Sequence, residues 1–195
     1  MKPHQRAFHG FARPLLGVAA AISVATLASF AHADQFIGPI SEEAANHRGP
    51  CGPDEGISGM MCTGRYCDNL YIYCESLSPG IIDNDAPTYN GTWADSLPGM
   101  PSDCGEDGIA IGVLCRDSYC GSVELLCKPL LRHFDAQGPV TCSTGLPYFS
   151  DEQPFCWLSG ADGVGGSFLN ALECTGNHCD NMYASSGIFG PTRGH

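Results

Sequence analysis

The chain has 195 residues, 21 of them acidic and nine basic, for a formal net charge of −12. That balance repels phosphate backbones and anionic lipid, so nucleic acid and membrane surfaces are excluded as leading partners. Twelve cysteines stand among 25 glycines and 14 prolines with few long apolar runs, and an even cysteine count in an exported chain reads as a framework of six disulfides that substitutes for core volume.

Residues 1–33 hold Lys2, Arg6 and Arg13 with no acid, then the apolar run Leu15 to Phe30, then the small-residue exit "AHA" before Asp34. This is the order of a secretory signal peptide, and the run is too short and too rich in Ala and Ser for a membrane span. Cleavage after Ala33 is expected to leave a secreted or periplasmic chain with no membrane insertion. It keeps six basic residues against all 21 acids, a formal charge of −15.

The mature chain divides into three repeats of about 53 residues: 34–80, 81–135 and 136–195, the last atypical and carrying a Gly-rich insertion. In the first, a turn or two of helix is expected around "SEEAANHR" (Ser41 to Arg48), with Ser41 as its cap. Next come "GISGMMC" and "DNLYIYC", short runs rich in apolar, β-branched and aromatic residues on either side of the turn-like "TGRY"; they read as a β-hairpin. The linker after it contains Ile81 and Ile82 and the oxygen-rich run Asp83 to Gly91. That run offers oxygens to a hard cation such as calcium but lacks the twelve-residue loop pattern and its distal Glu, so an acidic turn is the favoured reading.

The second repeat has the same hairpin in "IAIGVLC" and "SVELLC", with alternation clearest at Ile109, Ile111 and Val113. Leu130, Leu131 and Phe134 come next in its linker and, with Ile81 and Ile82, favour packed units over loose beads. In the third, the Gly-rich run Ser159 to Ser167 lacks the Lys and the following helix of a phosphate loop and reads as a flexible tip or entry loop. The fold class is therefore all-β: three disulfide-stapled hairpin repeats, either strung as separate beads or, as the packing favours, closed around a pseudo-threefold axis as in β-trefoils and β-prisms.

The cysteine segments carry the likeness. "CTGRYCDNLYIYC" (Cys62 to Cys74) shares seven of thirteen residues with "CTGNHCDNMYASS" (Cys174 to Ser186), and four with "CRDSYCGSVELLC" (Cys115 to Cys127). Eleven positions upstream of Cys62 and Cys115 stand Cys51 and Cys104; eleven further back stand the apolar anchors Ile40 and Trp93, and Phe149 leads the third copy. In a hairpin, Cys62 and Cys67 face each other beside the turn, within the roughly 4.4–6.8 Å that bridged Cα atoms need. Cys74 lies about 23 Å of extended chain from Cys67, so its partner is Cys51. The same reasoning pairs Cys115 with Cys120 and Cys104 with Cys127. Ser186 replaces the last cysteine of the third copy, which leaves Cys174 with Cys179 and Cys142 with Cys156.

Catalysis and cofactors find little support. There is no GxSxG or HExxH, no CxxC redox pair, and the histidines His47, His133, His178 and His195 fall at unrelated points of the repeat. Carboxylates such as Glu42, Glu43, Asp151 and Glu152 recur at a similar place in each lead, which suits architecture or solvation better than one active site. Cys174, His178 and Cys179 resemble soft metal ligands, but oxidised cysteines at CxxxxC spacing make a poor zinc site, so no metal is expected. Binding remains. An Asp-Asn pair can hold vicinal hydroxyls while a neighbouring ring covers the apolar face of a sugar. Tyr66, Asp68, Asn69 and Tyr71 form one such set, and Asp180, Asn181 and Tyr183 another. Against this, Asp and Asn after a turn commonly bond local backbone amides.

The pattern CxGxYCDN with a final Cys resembles Cys-rich repeat modules of exported microbial proteins, some of them appended to secreted enzymes. The resemblance covers the three hairpins and their "SEE" or "SDE" leads and implies secretion and modularity; the second copy departs at Gly121, the third at His178 and Ser186. The sequence thus favours a non-enzymatic, secreted binding protein whose partner is an extracellular glycan. The alternatives are an inhibitor or toxin-like effector of a secreted enzyme, which makes the partner a secreted protein, or a structural envelope or matrix component.

Overall fold

The computed structural model describes residues 35–41, 43, 48–95, 100–131, 135–139, 142, 148–152, 155–158 and 166–188. The segment read as a signal peptide, most of the Gly-rich run, Phe134 and most of the helical turn expected at Ser41 to Arg48 lie outside them. Arg48 itself begins a strand. Among the described residues thirteen strands run β1 Gln35–Ile40, β2 Arg48–Pro50, β3 Glu55–Thr63, β4 Asn69–Ser76, β5 Tyr89–Asp95, β6 Ser102–Asp103, β7 Gly108–Arg116, β8 Ser122–Pro129, β9 Asp135–Pro139, β10 Phe149–Ser150, β11 Phe155–Trp157, β12 Ser167–Thr175 and β13 Asn181–Ile188. The same residues contain no α-helix, only three single 3-10 turns, and none of their helices is long and apolar enough to cross a membrane. The protein is all-β.

Three hairpins, β3/β4, β7/β8 and β12/β13, form the centres of three antiparallel sheets. Each second hairpin strand pairs on its outer edge with the strand that leads into its own hairpin region: β1 on β4, β5 on β8, β10 on β13. Each first strand takes its other neighbour from elsewhere in the chain. β2, which precedes the first hairpin, pairs with β7 of the second; β6 precedes the second and pairs with β12 of the third; β11 precedes the third and pairs with β3 of the first. The donated strands thus pass first to second, second to third and third back to first. Neither a hairpin nor its flanking strands complete a sheet alone, which is why packing rather than local propensity fixes these two- and three-residue strands.

All six disulfides connect the expected cysteines: Cys51–Cys74, Cys62–Cys67, Cys104–Cys127, Cys115–Cys120, Cys142–Cys156 and Cys174–Cys179, with Cα separations of 4.5 to 5.7 Å. Eleven of these cysteines are buried in one continuous core with Ile40, Ile57, Leu70, Val113, Leu125, Phe149 and Leu172, and Cys51 packs against it. The cystines fill volume as well as closing loops. In the third sheet, where Ser186 stands in place of the last cysteine, β9 lies along β13 and pairs Gly138 with Ser186. A segment expected to be linker supplies the extra strand at that end.

One expected equivalence shifts by a residue. Ile40 and Phe149 pair across the ladder with Leu70 and Met182, but it is Ala94, not Trp93, that pairs with Val123 at the corresponding place. Because alternate residues of a strand face opposite sides, Ala94 is buried and Trp93 faces outward under Arg116, whose guanidinium lies 3.9 Å from the ring centroid. Of the linker residues, Ile81, Ile82 and Leu130 pack with Ile109, Ile111 and Leu126 over the outer face of the second hairpin, whereas Leu131 is exposed.

A tyrosine closes the base of that hairpin. Tyr89 Oη donates a 2.6 Å hydrogen bond to the Cys104 carbonyl, and burial, reinforced by Asp103 and Asp107, raises its pKa above the ordinary 10.0. The neutral phenol is the form the fold favours, so its contribution is complete below the ordinary pKa and fades as pH rises through the raised one. Urea midpoints measured from pH 8 to 12 should fall at the alkaline end more steeply for the native chain than for Tyr89→Phe, which should already be weaker by about 1 kcal/mol at pH 8. Parallel curves would remove Tyr89 as the cause.

Candidate functional site

Each hairpin reverses through a turn closed by a five-residue cystine span: Cys62–Cys67, Cys115–Cys120 and Cys174–Cys179. The last two residues of every turn have left-handed backbones although none is glycine: Tyr66 and Cys67 (φ 62° and 57°), Tyr119 and Cys120 (62° and 51°), His178 and Cys179 (55° and 57°). Side chains are disfavoured there and persist where the surroundings dictate them. Here the cystine does so, and the result is that one ring per turn projects from the hairpin tip.

The Asp-Asn pairs are part of the same construction. Gly64 (φ 81°) and Gly176 (φ 83°) leave a space that the carboxylates of Asp68 and Asp180 fill, so closely that any side chain on either glycine would collide with them. Asn69 Nδ2 then donates to Asp68 Oδ1 at 2.7 Å, and Asn181 Nδ2 to Asp180 Oδ1 at 3.0 Å. The second hairpin, where Gly121-Ser122 replace Asp-Asn, reaches the same end by exchange. Asp117 occupies the position of Gly64, Gly121 that of Asp68, and Ser122 Oγ donates to Asp117 Oδ2 at 2.7 Å. All three turns therefore hold one carboxylate bonded to the first residue of the outgoing strand.

The three tips meet. Ring centroids of Tyr66, Tyr119 and His178 are 6.0, 5.3 and 5.5 Å apart, forming a triangle of mutually tilted rings. Tyr119 is 42% exposed, enough to offer a face to a ligand. One sulfur of each turn cystine touches a carbonyl of a neighbouring turn: Cys120 Sγ lies 3.3 Å from Asp68 O, Cys179 Sγ 3.2 Å from Gly121 O, and Cys67 Sγ 3.9 Å from Asp180 O. These contacts again run in a closed cycle.

At the first Asp-Asn pair the neighbouring ring is that of the second turn. A small open cleft of about 40 Å³ is lined by Asp68 and Asn69 from the first turn, Ser41 and Glu43 from the segment leading to it, and Tyr119 from the second. Tyr66 instead lies toward the third turn, where its amide donates to Asp151 Oδ2 at 3.5 Å, while Arg65 covers its ring at 4.8 Å. Tyr71 and Tyr183 stand apart from the tips: Tyr71 lies against Gly38 of β1, and the Tyr183 ring meets that of Tyr148 at 5.7 Å with the planes tilted by 51°. Reading the sequence one repeat at a time missed Tyr119, Ser41 and Glu43, although the signal was there, since acids recur in each lead and an aromatic at each turn.

The oxygen-rich loop has a cation of its own. Asp83 Oδ1 accepts from the amides of Asp85 and Ala86, both at 3.1 Å, and Lys128 Nζ donates to the carbonyls of Asn84, at 3.1 Å, and Ala86. The ammonium of Lys128 thus occupies carbonyls that a calcium ion would need. No family model, curated protein or solved structure matches the chain.

Proposed function

We propose that this is an exported, disulfide-stabilised binding protein that recognises an extracellular glycan on the surface made by its three hairpin turns. The observation that carries the reading is the meeting of Tyr66, Tyr119 and His178 beside a cleft lined by Asp68 and Asn69. Rings cover the apolar faces of sugars, and carboxylate and amide groups hold their hydroxyls. Six cystines and the all-β core fit an oxidising compartment and a scaffold that keeps such a surface rigid before binding. The cyclic passage of donated strands and of sulfur–carbonyl contacts supports three repeats closed around a pseudo-threefold axis, with the tips at one end of that axis.

A panel of immobilised polysaccharides tests this. At least one should retain the native chain, with or without a chelator, because the loop carbonyls are held by Lys128. Retention should fall at least tenfold when Asp68, Asn69, Asp180 and Asn181 are replaced together. If no carbohydrate is retained and those replacements alter only the melting temperature, the glycan reading fails.

A further inference from the structure

We propose that Asn90 is an N-glycosylation site, the acceptor for an oligosaccharide transferred from a lipid pyrophosphate carrier during export of the chain. Asn90-Gly91-Thr92 is the one Asn-X-Ser/Thr triplet in the sequence, and its middle residue is not Pro. Enzymes that glycosylate asparagine read that triplet on exported chains, and the bulky, hydrophilic product needs a surface position. A triplet also arises by chance, so its surroundings decide. The inference is separate from glycan recognition and needs only that the chain is exported.

Asn90 and Thr92 are exposed on β5, the end strand of the second sheet, where the register with β8 shifts between Asn90 and Trp93. The other asparagines with described side chains are built into the fold. Asn69 and Asn181 donate to the neighbouring aspartates, Asn84 to Asp54, and Asn170 to the carbonyls of Gly105 and Gly108. Among the described residues no such bond holds the carboxamide of Asn90. Its nitrogen is left to solvent.

The position itself points outward. Asn90 lies opposite Leu126, one residue before Cys127; in the first sheet the same place pairs Phe36 with Tyr73, one residue before Cys74. Phe36 is exposed as well. Residues directly opposite in an antiparallel pair share a face, and Leu126 packs with Ile81, Ile82 and Leu130 on the outer face of the second hairpin. A sugar chain on Asn90 therefore leaves from that outer face. Leu126 is four residues from Ser122 at the turn, about 13 Å along a strand, so the meeting rings of the hairpin tips stay uncovered.

The other two residues of the triplet also serve the fold. A side chain at Gly91 would meet Ser102 Oγ at 2.8 Å, and Thr92 Oγ1 donates to the Pro101 carbonyl at 2.5 Å. The hydroxyl that the triplet presents is thus engaged once β5 has docked, which orders the events: sugar transfer first, docking second. In the transfer Asn90 Nδ2 forms a bond to the anomeric carbon of the first sugar as that carbon's bond to the phosphate oxygen breaks. The lipid pyrophosphate leaves with the electron pair, and Nδ2 gives up one proton to a base of the transferring enzyme.

Mass spectrometry of the chain secreted by its own host tests this. The peptide containing Asn90 should carry sugar, and peptide N-glycosidase in heavy-oxygen water should release it and leave a labelled aspartate in place of Asn90. Asn90→Gln, an exchange at an exposed amide, should lose the sugar completely and melt with the enzymatically deglycosylated native chain. Thr92→Ala should lose it too, whereas Thr92→Ser, which keeps a hydroxyl for the enzyme and for Pro101, should retain it. Unmodified Asn90 in the secreted chain would overturn the assignment, as would sugar surviving in Asn90→Gln. So would an unlabelled aspartate present before the enzyme is added, the product of spontaneous deamidation at an Asn-Gly pair.

Discussion

Exchanging Gly64 and Asp68 should rescue much of what replacing Gly64 alone destroys. Gly64→Asp places a side chain where the Asp68 carboxylate already lies and forces a non-glycine residue into φ near 81°. Strain of about 1–3 kcal/mol for such a backbone, with the collision and two adjacent like charges added, makes a loss of about 3 kcal/mol the expected result. Asp68→Gly alone removes the acceptor of Asn69 and should lose about 1 kcal/mol. The double exchange clears the collision and recreates the arrangement of the second hairpin, where Asp117 holds φ 60° opposite Gly121. Urea unfolding of the four chains should give a coupling of about 2 kcal/mol, well above the ~0.5 kcal/mol within which independent sites add. Additive losses would mean that the carboxylate is not interchangeable between the two faces of the turn.

Trp157→Ala should destabilise the first hairpin although the tryptophan lies far from it in sequence. β11 is three residues long and reaches β3 through the pairs Phe155–Met61, Cys156–Met60 and Trp157–Gly59. Its hold comes from packing. The Trp157 ring covers Gly59, meets Tyr73 edge-on at 4.7 Å and 80°, and lies 5.9 Å from Phe36. Truncation removes those contacts from a half-buried ring, for a loss of about 2–3 kcal/mol, below the range for a fully buried Trp. Amides of β3 and β4 should exchange faster in hydrogen-exchange measurements, because the last donated strand no longer closes the cycle. Trp93→Ala is the control: that ring stacks under an exposed arginine and should lose less than half as much. Equal effects from the two would show that strand donation adds nothing beyond ordinary burial.

The cystine pairing could be read in full because it is a problem of local reach. A five-residue span at a hairpin turn brings Cys62 to Cys67 and keeps Cys74 out of range, and Ser186 left only Cys142 for Cys156. Strand identity was also legible in "DNLYIYC", whose alternating burial matches its pattern. What could not be read is carried by few residues or by none in particular. β2, β6 and β11 are two or three residues long and owe their positions to sheets begun elsewhere in the chain. Trp93 and Ala94 differ by one step of alternation, which spacing to Cys104 does not resolve. For the same reason the sequence groups each Asp-Asn pair with the ring nearest it in the chain, while the cleft at Asp68 and Asn69 takes its ring from the second turn. Gly121 reads in the sequence only as a departure from the pattern, whereas Asp117 supplies the carboxylate from the other side of the turn.

Amide chemical-shift mapping tests most directly whether the meeting tips are the binding surface. The labelled chain, titrated with an oligosaccharide of the polysaccharide that retains it, should shift the amides of Glu43, Tyr66, Asn69, Tyr119 and Asn181 together and leave the outer face of the first sheet still. Shifts concentrated instead on Phe36, Tyr73, Phe155 and Trp157, the other group of partly exposed rings, would contradict it.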